Sequence, residues 1–115
     1  MKYFLYIMVI IAILVTAGCS LQTTTHFSGE GDNWIVKYTA NGETADYEIQ
    51  YTGEEPVPEN INYIIDTFSV TGRELSENGY VQNEHRGNEV DENDEEINVT
   101  IEWNGESEIF NLTQE

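Results

Sequence analysis

Two Asn-Gly dipeptides, each lying between runs of alternating apolar and polar residues, constrain the fold of this chain more than any other feature. Such a dipeptide is a strong signal for a two-residue β-hairpin turn, because both residues tolerate the positive φ that a type I′ turn requires. In residues 33–51 a turn centred on Asn41-Gly42 predicts that Val36 faces Tyr47 across the hairpin. The apolar side chains then share one face of both strands.

The segment 96–112 repeats this design around Asn104-Gly105. Here the register predicts that Val99 faces Phe110 on the apolar face, while Ile109 is an apolar exception on the polar face. Because each hairpin has one apolar face, another layer has to cover it, and the large aromatic side chains are predicted to form the core. These aromatic residues are Trp34, Tyr38, Tyr47, Trp103 and Phe110.

The remaining strand signals are weaker. Residues 61–70 predict a third strand, which either carries a bulge or is buried on both faces, because its apolar positions change phase. Short strands are expected at 73–75 and 80–82, and the acidic stretch 83–95 is expected to be a loop. The sequence thus predicts an all-β domain over residues 32–115. We expect a β-sandwich of about six or seven antiparallel strands, immunoglobulin-like in outline, with an open meander or a small barrel as alternatives.

The N-terminal segment is apolar from Tyr3 to Val15 and is preceded by one basic residue, Lys2. This run is shorter than the roughly 20 residues of a membrane-spanning helix and fits the core of a signal peptide. A retained membrane helix is usually followed by positive charge, and no basic cluster follows this run. Residues 1–18 are therefore interpreted as a cleaved signal peptide, with an uncleaved helix as the alternative.

The residues before Cys19, Val-Thr-Ala-Gly, resemble the lipobox of bacterial lipoproteins. The resemblance implies that a prolipoprotein signal peptidase cuts between Gly18 and Cys19 and that the Cys19 thiol carries a diacylglycerol. Thr16 departs from the leucine that is usual at its position. Cys19 is the only cysteine in the chain, so it cannot form an internal disulfide. Two or more acyl chains would give a stable membrane anchor.

The chain is strongly acidic. It has 22 aspartate and glutamate residues and a formal net charge of −18, and loss of Lys2 makes the mature part more negative still. Such a charge repels nucleic acid and anionic lipid head groups, so we expect no nucleic-acid partner and a domain that stands off from the membrane. Residues 19–31, rich in threonine, serine and glycine, are expected to be a flexible tether in which Gly29 tolerates substitution.

The sequence offers little to support an enzyme. The two histidines, His26 and His85, are too few to assemble a zinc site, and neither Ser69 nor Ser107 has the glycine pattern of a nucleophile elbow. Acids are so abundant that a pair of them carries no information about glycosidase chemistry. We therefore expect a non-enzymatic protein without a cofactor.

The acidic run 91–96, DENDEE, is a weak candidate for metal binding. Its alternating oxygen ligands resemble the start of a calcium loop, but Glu96 occupies the position at which an EF-hand requires glycine. A looser divalent-cation site therefore remains an alternative to a solvated run of charges. Its candidate ligands are Asp91, Asn93, Asp94 and Glu95.

Three motifs together indicate a family: the lipobox, NWIVKYT at the start of the first hairpin, and VTIEWNGESEIFNL near the end of the domain. In these motifs the chain resembles small lipoproteins of Bacillus and related Gram-positive bacteria. The resemblance implies a location on the extracytoplasmic face of the cell membrane, reached through the lipid on Cys19, and implies no activity. We expect a lipid-anchored interaction or shielding module whose partner is an envelope protein or peptide. The alternative is a surface protein that binds divalent cations weakly through its acidic loop.

Overall fold

The computed structural model describes residues 24–115, and eight strands occupy most of this part of the chain. They are β1 (Thr24–Glu30), β2 (Trp34–Asn41), β3 (Thr44–Tyr51), β4 (Asn60–Ile65), β5 (Phe68–Glu74), β6 (Tyr80–Arg86), β7 (Glu96–Trp103) and β8 (Glu106–Gln114). The predicted all-β class is confirmed, but the predicted count of six or seven strands was wrong. Among these residues no helix is long and apolar enough to cross a membrane. The predicted signal peptide 1–18, the cleavage site between Gly18 and Cys19, and the lipidated Cys19 lie outside the described residues.

All eight strands belong to one antiparallel sheet in the order β5-β4-β7-β8-β1-β2-β3-β6. The sheet curls until its two edge strands approach each other. Phe68 of β5 stacks on His85 of β6, with ring centroids 3.8 Å apart. Arg73 of β5 also donates a hydrogen bond to the carbonyl oxygen of Gln82 on β6, at 3.4 Å. The sheet is therefore nearly closed, and the predicted division into two packed layers stays a prediction.

The register of β7 and β8 is the one that the sequence predicts. Val99 pairs with Phe110, and the turn residues Asn104 and Gly105 have φ values of 47° and 79°. Two consecutive positive φ values are the requirement of a type I′ turn, and this turn fixes the register of the hairpin. Ile109 lies on the outer face with 75% of its surface exposed, as the alternation predicts.

In the hairpin of β2 and β3 the predicted pairs were wrong, although the predicted faces were right. Val36 pairs with Ile49 rather than with Tyr47. In this turn Gly42 has a positive φ of 67° and Asn41 does not. Asn41 pairs with Thr44, so the two-residue loop is Gly42-Glu43 and begins one residue later than predicted. Glycine alone at the first loop position is the type II′ pattern. Because this change moves each partner by two residues, every side chain keeps its face.

The predicted third strand at 61–70 is in fact a hairpin. β4 ends at Ile65, and β5 begins at Phe68 after a tight turn in which Asp66 has a φ of 56°. The chain reverses direction at this turn, which explains why the apolar pattern changes phase there. A register shift of the kind a bulge produces does occur, but it lies near the start of β4.

Two segments that the sequence predicts as irregular are strands. β6 continues to Arg86, into the predicted loop 83–95. β1 occupies Thr24–Glu30, so the prediction of a tether over 19–31 was wrong for these residues, and the sheet begins before residue 32. β1 lies between β2 and β8, and its Phe27 is 1% exposed. Burial of this ring stabilises a strand whose serine and glycine have weak strand propensity.

One face of the curled sheet lines an apolar and aromatic core. Burial alternates along β2, β3 and β7, as expected for strands with one face inward. In the described part of the chain, no polar or charged residue is buried. The predicted aromatic core is confirmed: four of the predicted rings are buried and the fifth, Phe110, is partly buried against them.

Candidate functional site

The strands give the sheet two ends that carry different residues. At one end Thr24 pairs with Asn41, beside the turn between β2 and β3. At the other end Trp34 pairs with Tyr51, and Trp103 precedes the turn between β7 and β8. We call the first the Thr24 end and the second the Trp103 end.

An open groove crosses the Trp103 end. It consists of two adjoining hollows of about 580 and 350 Å³, which share residues including Trp103 and Glu106. The segments 55–60 and 102–107 form its two walls, and Tyr51 and Asn62 complete the lining. We call this surface the Trp103 groove. The groove forms because β4 pairs with β7, which places the loop between β3 and β4 beside the hairpin turn between β7 and β8.

The floor of the Trp103 groove rests on packed aromatic rings. Trp34 is fully buried, and its ring centroid lies 4.9 Å from that of Tyr51 and 5.4 Å from that of Trp103. Tyr51 and Trp103 are 8% and 6% exposed, so only a small part of each ring reaches the groove. Among the described residues, the Nε1 atom of Trp34 has no hydrogen-bond partner. This packing places an apolar floor beneath polar walls.

Four exposed carboxylates line the groove, and no basic side chain accompanies them. The carboxylates belong to Glu55, Glu59, Glu102 and Glu106. The basic residues of the described part are Lys37, Arg73 and Arg86, and none of them lines the groove. Within residues 24–115 a single ion pair is found, between Arg86 and Glu84 at 3.8 Å, and it lies outside the groove. The negative charge of the groove is therefore not balanced by an ion pair within this part of the chain.

The neighbouring Glu108 has a structural role. Its carboxylate accepts hydrogen bonds from the backbone N–H and the side-chain amide of Asn33, at 3.0 and 2.6 Å. These two bonds join β8 to the turn that precedes β2. Because a carboxylate acceptor makes such bonds stronger than neutral ones, they help to hold the Trp103 end in a defined geometry.

The side chains considered for catalysis are not brought together. His85 stacks on Phe68, and its neighbour Arg86 pairs with Thr44 toward the Thr24 end. Ser107 lies in the Trp103 groove at the other end. Ser69 is exposed on the edge strand β5. The structure thus assembles no serine–histidine pair from these residues.

Two buried tyrosines keep their hydroxyl protons at neutral pH. The pKa of Tyr38 is raised mainly by burial of the side chain and, to a smaller extent, by the negative charge of Asp66. The pKa of Tyr63 is raised mainly by burial of the side chain and, to a smaller extent, by its hydrogen bond with Tyr47. The Tyr38 hydroxyl donates to the side-chain oxygen of Asn88 at 2.7 Å, which ties the loop after β6 to the core. Both hydroxyls are thus used in hydrogen bonds within the fold.

The predicted cation ligands lie in the loop between β6 and β7, near the Thr24 end. Asp91 accepts a hydrogen bond from the backbone N–H of Asn93 at 2.8 Å, and Asp94 accepts one from that of Asp91 at 2.9 Å. These three side chains and that of Glu95 are exposed. Over residues 24–115 no group of three or more histidine, cysteine, aspartate or glutamate side chains is arranged to hold a metal ion. The loop uses two of its carboxylates to fold on itself.

No protein-family model, curated protein or solved structure matches this chain. The sequence pattern does not identify the Trp103 groove, because its two walls lie more than 40 residues apart in the chain. Each wall alone is an acidic turn like several others in this sequence.

Proposed function

We propose that this chain is a lipid-anchored extracytoplasmic protein of the bacterial cell envelope, whose β-domain is a non-enzymatic interaction or shielding module. It belongs, in this proposal, with the small lipoproteins of Bacillus and related bacteria. The lipid on Cys19 holds it in the cell membrane, and the Trp103 groove contacts an envelope protein or peptide. The two halves of the curled sheet pack face to face as an immunoglobulin-like sandwich, which covers the apolar face of each hairpin.

The sequence before the sheet supports the anchor. An apolar run too short to span a membrane is followed by small residues and by the only cysteine. Cleavage before Cys19 leaves that thiol at the new N-terminus, where a diacylglycerol and a further acyl chain together give a stable anchor. The charge of the domain gives no second route to the membrane, since anionic lipids repel it.

The observation that carries the proposed binding surface is the position at which the chain joins the sheet. β1 includes Thr24, five positions after Cys19, so at most about 18 Å of chain can separate Cys19 from the sheet. Thr24 lies at the end of the sheet opposite the Trp103 groove. A lipid on Cys19 would therefore keep the Thr24 end near the membrane. The groove would then face outward, beyond about 25 Å of strand.

The geometry favours binding over catalysis and over cation storage. The groove is open, its carboxylates are exposed, and His85 and Ser107 lie apart. The alternative function, weak divalent-cation binding through the acidic loop, has less support. Asp91 and Asp94 already accept hydrogen bonds from the backbone of that loop, and a cation would have to replace those bonds.

Cys19→Ser tests the anchor in cells supplied with labelled palmitate. We expect this variant to incorporate no label and to accumulate as a precursor that retains residues 1–18, because both reactions need the thiol. Ser20→Ala, one position away, should be labelled and processed like the parent protein. A labelled and processed Cys19→Ser protein would refute the anchor.

A further inference from the structure

We infer that the Trp103 groove binds an extended, cationic polypeptide segment through its lysine or arginine side chains. The inference rests on the proposed role of the groove as a binding surface and adds the chemistry of the partner. It does not depend on the lipid anchor. Charge and shape each support it separately.

Charge decides which ligands the groove can accept. Glu55 and Glu59 lie on one wall, and Glu102 and Glu106 lie on the other, with no basic side chain between them. A cation placed between the walls is attracted by both and reduces the repulsion among the four carboxylates. An anionic ligand, a nucleic acid or a second copy of this acidic chain meets repulsion at the same place.

The shape of the groove suits side chains that have an apolar stem and a charged head. Val57 is 39% exposed and, with the exposed parts of Tyr51 and Trp103, gives the groove apolar contact surface. Lysine and arginine can lay their methylene groups on such a surface while the charged head reaches a carboxylate at the rim. The side-chain amide of Asn60 supplies a donor and an acceptor for the backbone of a bound segment. Asn62 supplies its amide N–H donors, because its side-chain oxygen already accepts a hydrogen bond from the Gly72 N–H at 2.8 Å. The two hollows lie side by side, which favours an extended segment over a compact ligand.

Binding can be measured with the protein as purified from the cells that express it, in a non-ionic detergent, whether or not Cys19 carries lipid. The probe is a fluorescent peptide in which three lysines alternate with glycines, and peptides with serine or glutamate in place of lysine are the comparisons. We expect the fluorescence anisotropy to rise on binding only for the lysine peptide, with an affinity that falls as sodium chloride screens the charges. Failure of the lysine peptide to bind would overturn the inference.

Matched variants separate the groove from the general negative charge of the domain. In the groove variant Glu55, Glu59 and Glu106 are changed to glutamine. In the control variant Glu43, Glu89 and Glu92, exposed residues toward the Thr24 end, are changed in the same way. We expect the groove variant to bind the lysine peptide about tenfold more weakly and the affinity of the control variant to change by less than about twofold. The reason is that carboxylates in contact with the peptide attract it strongly, whereas salt screens the attraction of carboxylates at the far end of the domain. Equal losses in the two variants would overturn the inference.

A single charge reversal provides a second test that does not depend on the triple variants. Glu106→Lys places a positive charge in the groove and should abolish binding of the lysine peptide, whereas Glu92→Lys at the other end should weaken it only slightly. Binding that survives Glu106→Lys would again contradict the inference. Because these measurements use detergent solution, they can fail while Cys19 is lipidated normally, and the anchor can fail while the groove still binds.

Discussion

The hydroxyl oxygens of Tyr47 and Tyr63 lie 2.6 Å apart in the buried interior of the sheet. One hydroxyl donates to the other, and the two rings meet edge to face with centroids 5.7 Å apart. The pair joins β3 to β4, two strands that are far apart in the order of the sheet. This bond therefore links the two halves of the curled sheet across the core.

Removal of one hydroxyl should leave the other buried without this partner. We expect Tyr63→Phe to lower the free energy of unfolding by about 1–2 kcal/mol. The double variant Tyr47→Phe/Tyr63→Phe should lose less than the sum of the two single variants, because it leaves neither hydroxyl unpaired. Urea unfolding of the four proteins measures this coupling, and strictly additive losses would show that the hydrogen bond does not join the two residues in solution.

Alkaline pH should destabilise the domain through its buried tyrosines. The pKa values of Tyr38 and Tyr63 are raised in the folded protein, chiefly by burial, above the value of 10.0 expected when the chain unfolds. Above about pH 10 the unfolded state therefore loses these protons first, and stability falls as pH rises. Each tyrosine contributes up to about 1.4 kcal/mol per pH unit to this slope. Denaturant midpoints measured between pH 8 and pH 11 should fall less steeply for Tyr38→Phe than for the parent; parallel curves would contradict the assignment.

Gly29 should tolerate substitution poorly, contrary to the expectation for a tether residue. It lies in β1 opposite Val36, and a Cβ at this position would collide with the backbone carbonyl oxygen of Asn111 on β8. Backbone cannot move aside as a flexible side chain does. We expect Gly29→Val to cost about 3 kcal/mol or more in thermal or urea unfolding.

Two control variants separate this collision from other effects of valine. Gly105→Val meets no neighbouring atom but has a φ of 79°, so it should cost about 1–3 kcal/mol. Thr25→Val, in the same strand as Gly29, keeps a β-branched side chain of similar size and should cost less than about 1 kcal/mol. A Gly29→Val protein as stable as Thr25→Val would show that β1 does not lie against β8.

The two hairpins show how far local sequence determines the fold. Asn104 and Gly105 both adopt positive φ, so the type I′ prediction and the register of β7 and β8 are correct. In the same dipeptide at Asn41-Gly42, only the glycine has a positive φ. The Asn-Gly dipeptide alone therefore does not decide between the two turn types. The core faces were nevertheless predictable, because a shift of two residues preserves the alternation.

The sequence does not predict the features that depend on distant segments. β1 is composed of residues typical of a linker, and its neighbours β2 and β8 provide the pairing that makes it a strand. The Trp103 groove likewise appears only when the loop 55–60 and the turn 102–107 meet at one end of the sheet. In a chain with 22 acids, glutamates in two separate turns give no sign that they share a site.

The orientation of the two ends relative to the membrane tests the proposed function most directly. Glu92→Cys near the Thr24 end and Asn104→Cys at the Trp103 end can each carry a donor fluorophore, because the lipid occupies the thiol of Cys19. Energy transfer to an acceptor dye at the surface of reconstituted vesicles should be strong from position 92 and weak from position 104, since about 25 Å of strand separates the two ends. Equal transfer from the two positions, or stronger transfer from position 104, would contradict a groove that faces away from the membrane.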